Sequence, residues 1–116
     1  GLYDGILGDE ETLIISIIYA RRCCAAGLCL TRENFMEFCI GCAIMAVKFH
    51  VDDEPSMSSM AWMLGVETEQ LYRVESVVFK WLFLSTDGIF VKRDVFEKVL
   101  CQIRCLHMQA ACSKYT

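Results

Sequence analysis

Four kinds of side chain in this 116-residue sequence could do chemistry: eight cysteines, two histidines, a run of three carboxylates, and a lysine inside an apolar stretch. Paired thiols at metal-ligand spacing would hold zinc or exchange electrons, and Cys39-x-x-Cys42 has half of such a pattern. A structural zinc wants its ligands on turns, with a second pair of matching spacing. Here Cys23, Cys24, Cys29, Cys39, Cys42, Cys101, Cys105 and Cys112 all fall in or at the ends of helical patterns. Cys101, Cys105, Met108 and Cys112 make one stripe of the last of them. They are therefore read as small buried hydrophobes in an intracellular, reducing compartment, cytoplasm or nucleus, with half a zinc or redox site as the alternative.

Catalysis needs a nucleophile beside a base, or titratable groups set at unequal pKa values. His50 and His107 lie far apart and without a surrounding motif. His50 reads as a polar residue ending a helix, and His107 as an exposed residue on the last one. Asp52, Asp53 and Glu54 are consecutive and lack the alternate spacing of a calcium loop. They are expected to be a solvated loop, with a partner contact as the alternative. No glycine-rich loop that could cradle phosphate occurs. The expectation is a protein that is not an enzyme, with no metal, no cofactor and no catalytic residue, whose function is binding.

The lysine is Lys48, in the stretch FMEFCIGCAIMAVKFHV at residues 35–51. Apolar residues there run around every face of a helix, which is the pattern of a buried one. At about 100° per residue Glu37, Gly41, Ile44 and Lys48 share one strip. A buried ammonium needs a partner, or its desolvation costs several kcal/mol. Glycine in a helix middle costs about 1 kcal/mol of propensity but lets another backbone come close. The strip is thus expected to face something outside the domain.

Around this central helix, read as residues 31–51 with Thr31 as its N-cap, four more helices follow from periodicity and caps. The first runs from Asp9 to Leu28, with Asp9 as N-cap and Glu10 and Glu11 in the first turn. Ile14, Ile17 and Ile18 set its core face, continued by Cys24 and Ala25, and Gly27 marks its end. Pro55 ends the central helix. A short helix spans 57–64 and stops at Gly65. Thr68 caps a helix over 69–85 with Leu71, Val74, Val78, Trp81 and Leu82 inward. Asp87-Gly88 turns the chain. The last helix covers 92–113, with Val95, Phe96, Val99 and Leu100 opening its apolar face. The fold class is all-α, a bundle of about five helices around a central buried one, in a single domain over residues 1–116.

Composition narrows the partners. Hydrophobic residues make up 55% of the chain and mean hydropathy is +0.39, so an apolar patch covered by a partner protein is expected. The longest charge-free run, Phe38 to Val47, is short of the roughly 20 residues that span a bilayer, so no membrane is expected. Net charge is −4 with signs interspersed, which disfavours nucleic acid. No basic segment precedes an apolar run as in a signal peptide, and the first residue is Gly1, so the chain is read as a fragment or a cleaved product.

The runs AVKFHVDDEPSMSSMAWMLGV and LYRVESVVFKWLFLSTDGIFV together resemble the cyclin box, and within it the single-box type of the fungal phosphate-pathway cyclins. Residues 46–54 and 64–91 carry the match: a K-F-x-D-D-E/S end to one helix, a glycine before the next, and an L-x-R-L-E start to another. IIYARR at 17–22 is similar to the family's Y-x-x-R, and the resemblance covers most of residues 10–100. The sequence departs in having one extra residue between Lys48 and the aspartates and one fewer in the following helix. Arg21 stands where the family often has an acid, and most of the family's first helix is missing.

What the resemblance implies is a regulatory subunit. In cyclins the lysine matching Lys48 and the glutamate matching Glu75 contact the backbone of a cyclin-dependent protein kinase catalytic subunit near its mobile C-helix. Carried over, Glu75 answers the charge of Lys48, and Phe49 and Phe79, flanking the pair, are candidates for the contact surface, with core positions as the alternative. The kinase-binding residues implied are Lys48, Glu75, Phe49 and Phe79. The alternatives are a cyclin-fold interaction scaffold that activates no kinase, and an unrelated helical domain whose cysteines serve zinc or redox chemistry.

Overall fold

A computed structural model describes residues 10–50 and 55–113, with side chains as far as residue 110. The described chain is all-α and contains no strand. Its helices are α1 (Glu10–Ala25), α2 (Phe35–His50), α3 (Met57–Leu64), α4 (Thr68–Leu84) and α5 (Arg93–Ser113).

The middle of α2 is buried on every side, from Gly41 through Val47. It is exposed only towards its ends, at Phe35, Met36, Glu37 and Phe49. One flank, Cys42, Met45 and Ala46, packs with Ile15, Tyr19 and Cys23 of α1 and with Val78 and Leu82 of α4. The other, Ala43, Ile44 and Val47, packs with Met57, Met60 and Ala61 of α3 and Leu71 of α4. Each such side chain taken fully out of water contributes about 1.5–3 kcal/mol, which is why the most apolar helix sits at the centre.

The strip through Gly41 and Ile44 does not face outward as expected. It is the seam with α4 of the same chain. A Cβ on Gly41 would lie 2.5 Å from Val78 Cγ2, 2.8 Å from Val74 Cγ1 and 3.3 Å from the Val74 carbonyl oxygen. The glycine is there so that α4 can approach, and the strip reaches the surface only at its two ends, Glu37 and Lys48.

Helix α1 is covered on two sides. Ile15, Tyr19 and Cys23, four apart, face α2, whereas Ile14 and Ile18 face α5 at Val99. The core therefore continues through Cys23, not through Cys24 and Ala25, which are exposed. Helix α5 approaches α1 and no other helix closely; α1 and α4 close on the central helix, and α3 reaches it through the side chains of Met57, Met60 and Ala61. Arg104 of α5 pairs with Glu10 at 2.8 Å on the rim.

The connections follow local chemistry. Gly27 takes φ +121°, and Leu28 N–H closes α1 by donating to Cys23 O at 3.1 Å. Thr31 and Asn34 cap each other ahead of α2: Thr31 N–H donates to Asn34 Oδ1 at 2.7 Å and Asn34 N–H to Thr31 Oγ1 at 3.3 Å. Ser56 Oγ accepts from Ser59 N–H at the start of α3, and Gly65, at φ 71°, ends that helix as expected. At α4 the cap position is Glu67, without a side-chain hydrogen bond, and Thr68 is already helical. The Asp9 cap and the Asp52–Glu54 cluster lie outside the described residues.

Candidate functional site

Helices α2 and α4 bring Lys48 and Glu75 together. The ammonium lies 2.5 Å from Glu75 Oε2, and the two side chains are 26% and 19% exposed. Oε2 itself is shielded from solvent and has no hydrogen bond of regular geometry, so its charge is met by proximity to the ammonium alone. The Tyr72 ring completes the setting, its centroid 5.8 Å from Lys48 Nζ. Lys48 thus ends the buried strip of α2 by turning its charge to the surface, between an acid and an aromatic face.

The surface around this pair is apolar. Tyr72 and Phe79 are about half exposed, and Phe83 and Leu84 are more exposed still. Tyr72, Phe79 and Phe83 are seven and four residues apart, so they share one strip of α4 beside Glu75. Phe49 follows Lys48 at the open end of α2 and is half exposed. Of the implied contact residues, Lys48 and Glu75 are in direct contact, and Phe49 and Phe79 are surface and not core. Tyr72 was missed on sequence grounds, although its position three residues before Glu75 puts it on the same side of the helix.

A second polar constellation was also missed, and it is structural. Tyr19 donates to Ile89 O at 2.8 Å and meets His50 Nε2 at 2.8 Å. The single hydroxyl proton goes to the carbonyl, so His50 donates through Nε2–H. Arg22, one turn along from Tyr19, gives Nη1 to Gly88 O at 2.9 Å and Phe90 O at 2.6 Å. Tyr19 and Arg22 together hold three successive carbonyls of the α4–α5 connection. Burial pushes the Tyr19 phenol up and the His50 imidazole down from their ordinary values. A phenol held protonated with its proton already committed is a staple, not a nucleophile. Arg21 donates to Gln102 Oε1 of α5 at 3.0 Å.

The described cysteines divide into buried, half-buried and exposed. Cys23 and Cys42 are buried at the α1/α2 contact, with Cys23 Sγ 3.9 Å from Val78 O. The hydrogen bond shared with Cys23, followed by burial, pushes Cys42 up, which keeps it a thiol. Cys39 is half-buried, whereas Cys24, Cys29, Cys101 and Cys105 are exposed, which corrects the expectation of buried cysteines throughout. The last helix turns Val99 and Ile103 inward, and the cysteine stripe therefore points away from α1. The side chain of Cys112 lies outside the described residues. Among the described residues no three of His, Cys, Asp and Glu converge as metal ligands, and no helix is long and apolar enough to cross a membrane. His107 is exposed, as expected.

No family model, curated protein or solved structure matches the chain.

Proposed function

We propose that this chain is a cyclin-like regulatory subunit that binds a cyclin-dependent protein kinase and activates it by positioning its C-helix. The observation that carries the reading is the Lys48–Glu75 pair at the α2/α4 seam, partly open to solvent and flanked by exposed aromatic rings. An ion pair of this kind has unused hydrogen-bonding capacity on both partners. Lys48 has ammonium protons to give to a partner's carbonyls, and the Glu75 carboxylate can accept from backbone N–H groups. Tyr72, Phe79 and Phe49 supply the apolar contact area that such a polar centre needs around it to exclude water.

The mechanism needs no chemistry from this chain. A kinase is active when its strand lysine and C-helix glutamate are paired, which requires the helix to be turned inward. A subunit that binds that state preferentially shifts the population toward it, and about 5.5 kcal/mol of differential affinity carries a 1:99 mixture to 99:1. The tagged chain is expected to capture a cyclin-dependent kinase catalytic subunit from its source organism, identified by mass spectrometry, and to raise that kinase's phosphorylation rate. Capture of the kinase without any gain in rate would favour the scaffold alternative, and failure to capture a kinase would overturn the reading.

A further inference from the structure

The last helix carries its sulfur on the side that does not pack. Helix α5 meets α1 through Val99 and Ile103, and Cys101, Cys105 and Met108 lie on the opposite side, all exposed. Lys98 shares that strip one turn before Cys101 and is also exposed.

Residues four apart on a helix place their Cβ atoms about 5–6 Å apart on one face. A disulfide wants Cβ atoms about 3.8 Å apart, so an intact helical turn keeps this pair as two thiols. An ion between them is a better fit, because two metal–sulfur bonds of about 2.3 Å together span about 4.6 Å, within reach of two sulfurs standing one bond beyond those Cβ atoms. The number of donors then selects the ion. No third His, Cys, Asp or Glu joins the pair among the described residues, which leaves tetrahedral zinc unsatisfied. Thiolate and thioether donors favour Cu(I), a soft ion.

We propose that Cys101 and Cys105 form a two-thiolate site for Cu(I), with the Met108 thioether one turn beyond Cys105 as a neutral sulfur at its edge. Binding exchanges two thiol protons for one Cu(I), so the loaded site carries one net negative charge, next to the Lys98 ammonium. Cys24 and Cys29 are exposed as well, but they stand on either side of the Gly27 turn and not on one helical face. The site lies on a helix that contributes nothing to the Lys48–Glu75 surface, so it is independent of the partner reading.

The test is an anaerobic titration of the full, reduced chain with Cu(I) against bicinchoninate as competitor, followed by copper K-edge absorption. One Cu(I) per chain is expected to be withheld from the competitor, with sulfur as its only near neighbours and tighter retention as pH rises. Cys101→Ser and Cys105→Ser should each weaken retention by more than about 100-fold, since even second-shell changes cost about 10–100-fold. A Cys24→Ser/Cys29→Ser variant should retain the ion as the parent does. Retention by the Cys101→Ser/Cys105→Ser variant at parental strength, loss of retention confined to Cys24→Ser/Cys29→Ser, or no retention by the parent would each overturn the proposal. All four positions are exposed, and circular dichroism checks that the variants keep their helices.

Discussion

Lys48 of α2 and Glu75 of α4 stand 2.5 Å apart across the seam between two helices, although 27 positions separate them in the chain. The pair closes the C-terminal end of the Gly41 strip, whose other end is the exposed Glu37. The carboxylate oxygen nearest the ammonium has no solvent contact, so its two members are not equivalent. Removing the lysine leaves a shielded acceptor unanswered, whereas removing the glutamate leaves an ammonium that can turn to water.

Lys48→Ala is therefore expected to destabilise the fold by about 1–2 kcal/mol, the cost of an unsatisfied shielded acceptor. Glu75→Ala is expected to cost less, within the ~0–1 kcal/mol of a partly exposed ion pair. The double variant should be closer to the parent than the sum of the two, and denaturant unfolding of all four proteins measures the difference.

Gly41→Ala should destabilise even though alanine is the better helix former. The added Cβ meets two valine methyls and the Val74 carbonyl, and overpacking of this kind costs about 1–3 kcal/mol against about 1 kcal/mol gained in propensity. Combining it with Val78→Ala should recover part of the clash term, so the pair of changes is expected to be less harmful than the sum. A set of thermal melts decides it.

How much of this was legible beforehand depends on whether the signal was local. The five helices and their order follow from period and turn residues, and Gly65 and the turn at Asp87-Gly88 hold where they were placed. The direction in which a strip faces was not legible. Gly41 and Ile44 announce close approach, but the sequence does not say whether the approaching backbone belongs to this chain. For the same reason the cysteines of α5 read as core by periodicity and lie outside, because only α1 covers that helix. Tyr19 and Arg22 stand at the Tyr-x-x-Arg spacing of IIYARR, but nothing local assigns them a task, because that task depends on carbonyls some seventy residues away.

Tyr19→Phe should release the α4–α5 connection. It leaves Ile89 O without its donor, at a cost of about 1–2 kcal/mol. Amide exchange in residues 88–92 is expected to speed up more than exchange in the middle of α2. Equal acceleration in both would mean that the hydroxyl supports the whole bundle and not this connection.

His50 gives the stability a pH dependence of definite sign. Burial, the largest cause, lowers its pKa in the folded state below the ordinary 6.5, with Glu11 acting in the opposite direction. The unfolded chain then binds the proton more readily, so stability is full above about 6.5 and falls as pH drops through that value toward the folded pKa. His50→Gln should flatten this segment of a stability-versus-pH curve.

Native thiol labelling should separate the cysteines by burial. Cys24, Cys29, Cys101 and Cys105 are expected to react with a maleimide promptly, and Cys23 and Cys42 only on unfolding. Peptide mass mapping after a short pulse reads this directly.

The most direct test of the regulatory-subunit account is the affinity of Lys48→Ala/Glu75→Ala for the captured kinase, measured by titration beside the parent. The account predicts binding weaker by more than about tenfold, in line with truncation at an interface centre, with helicity and melting nearly those of the parent. Parental affinity in the double variant would contradict it, because the kinase would then be held by some other surface.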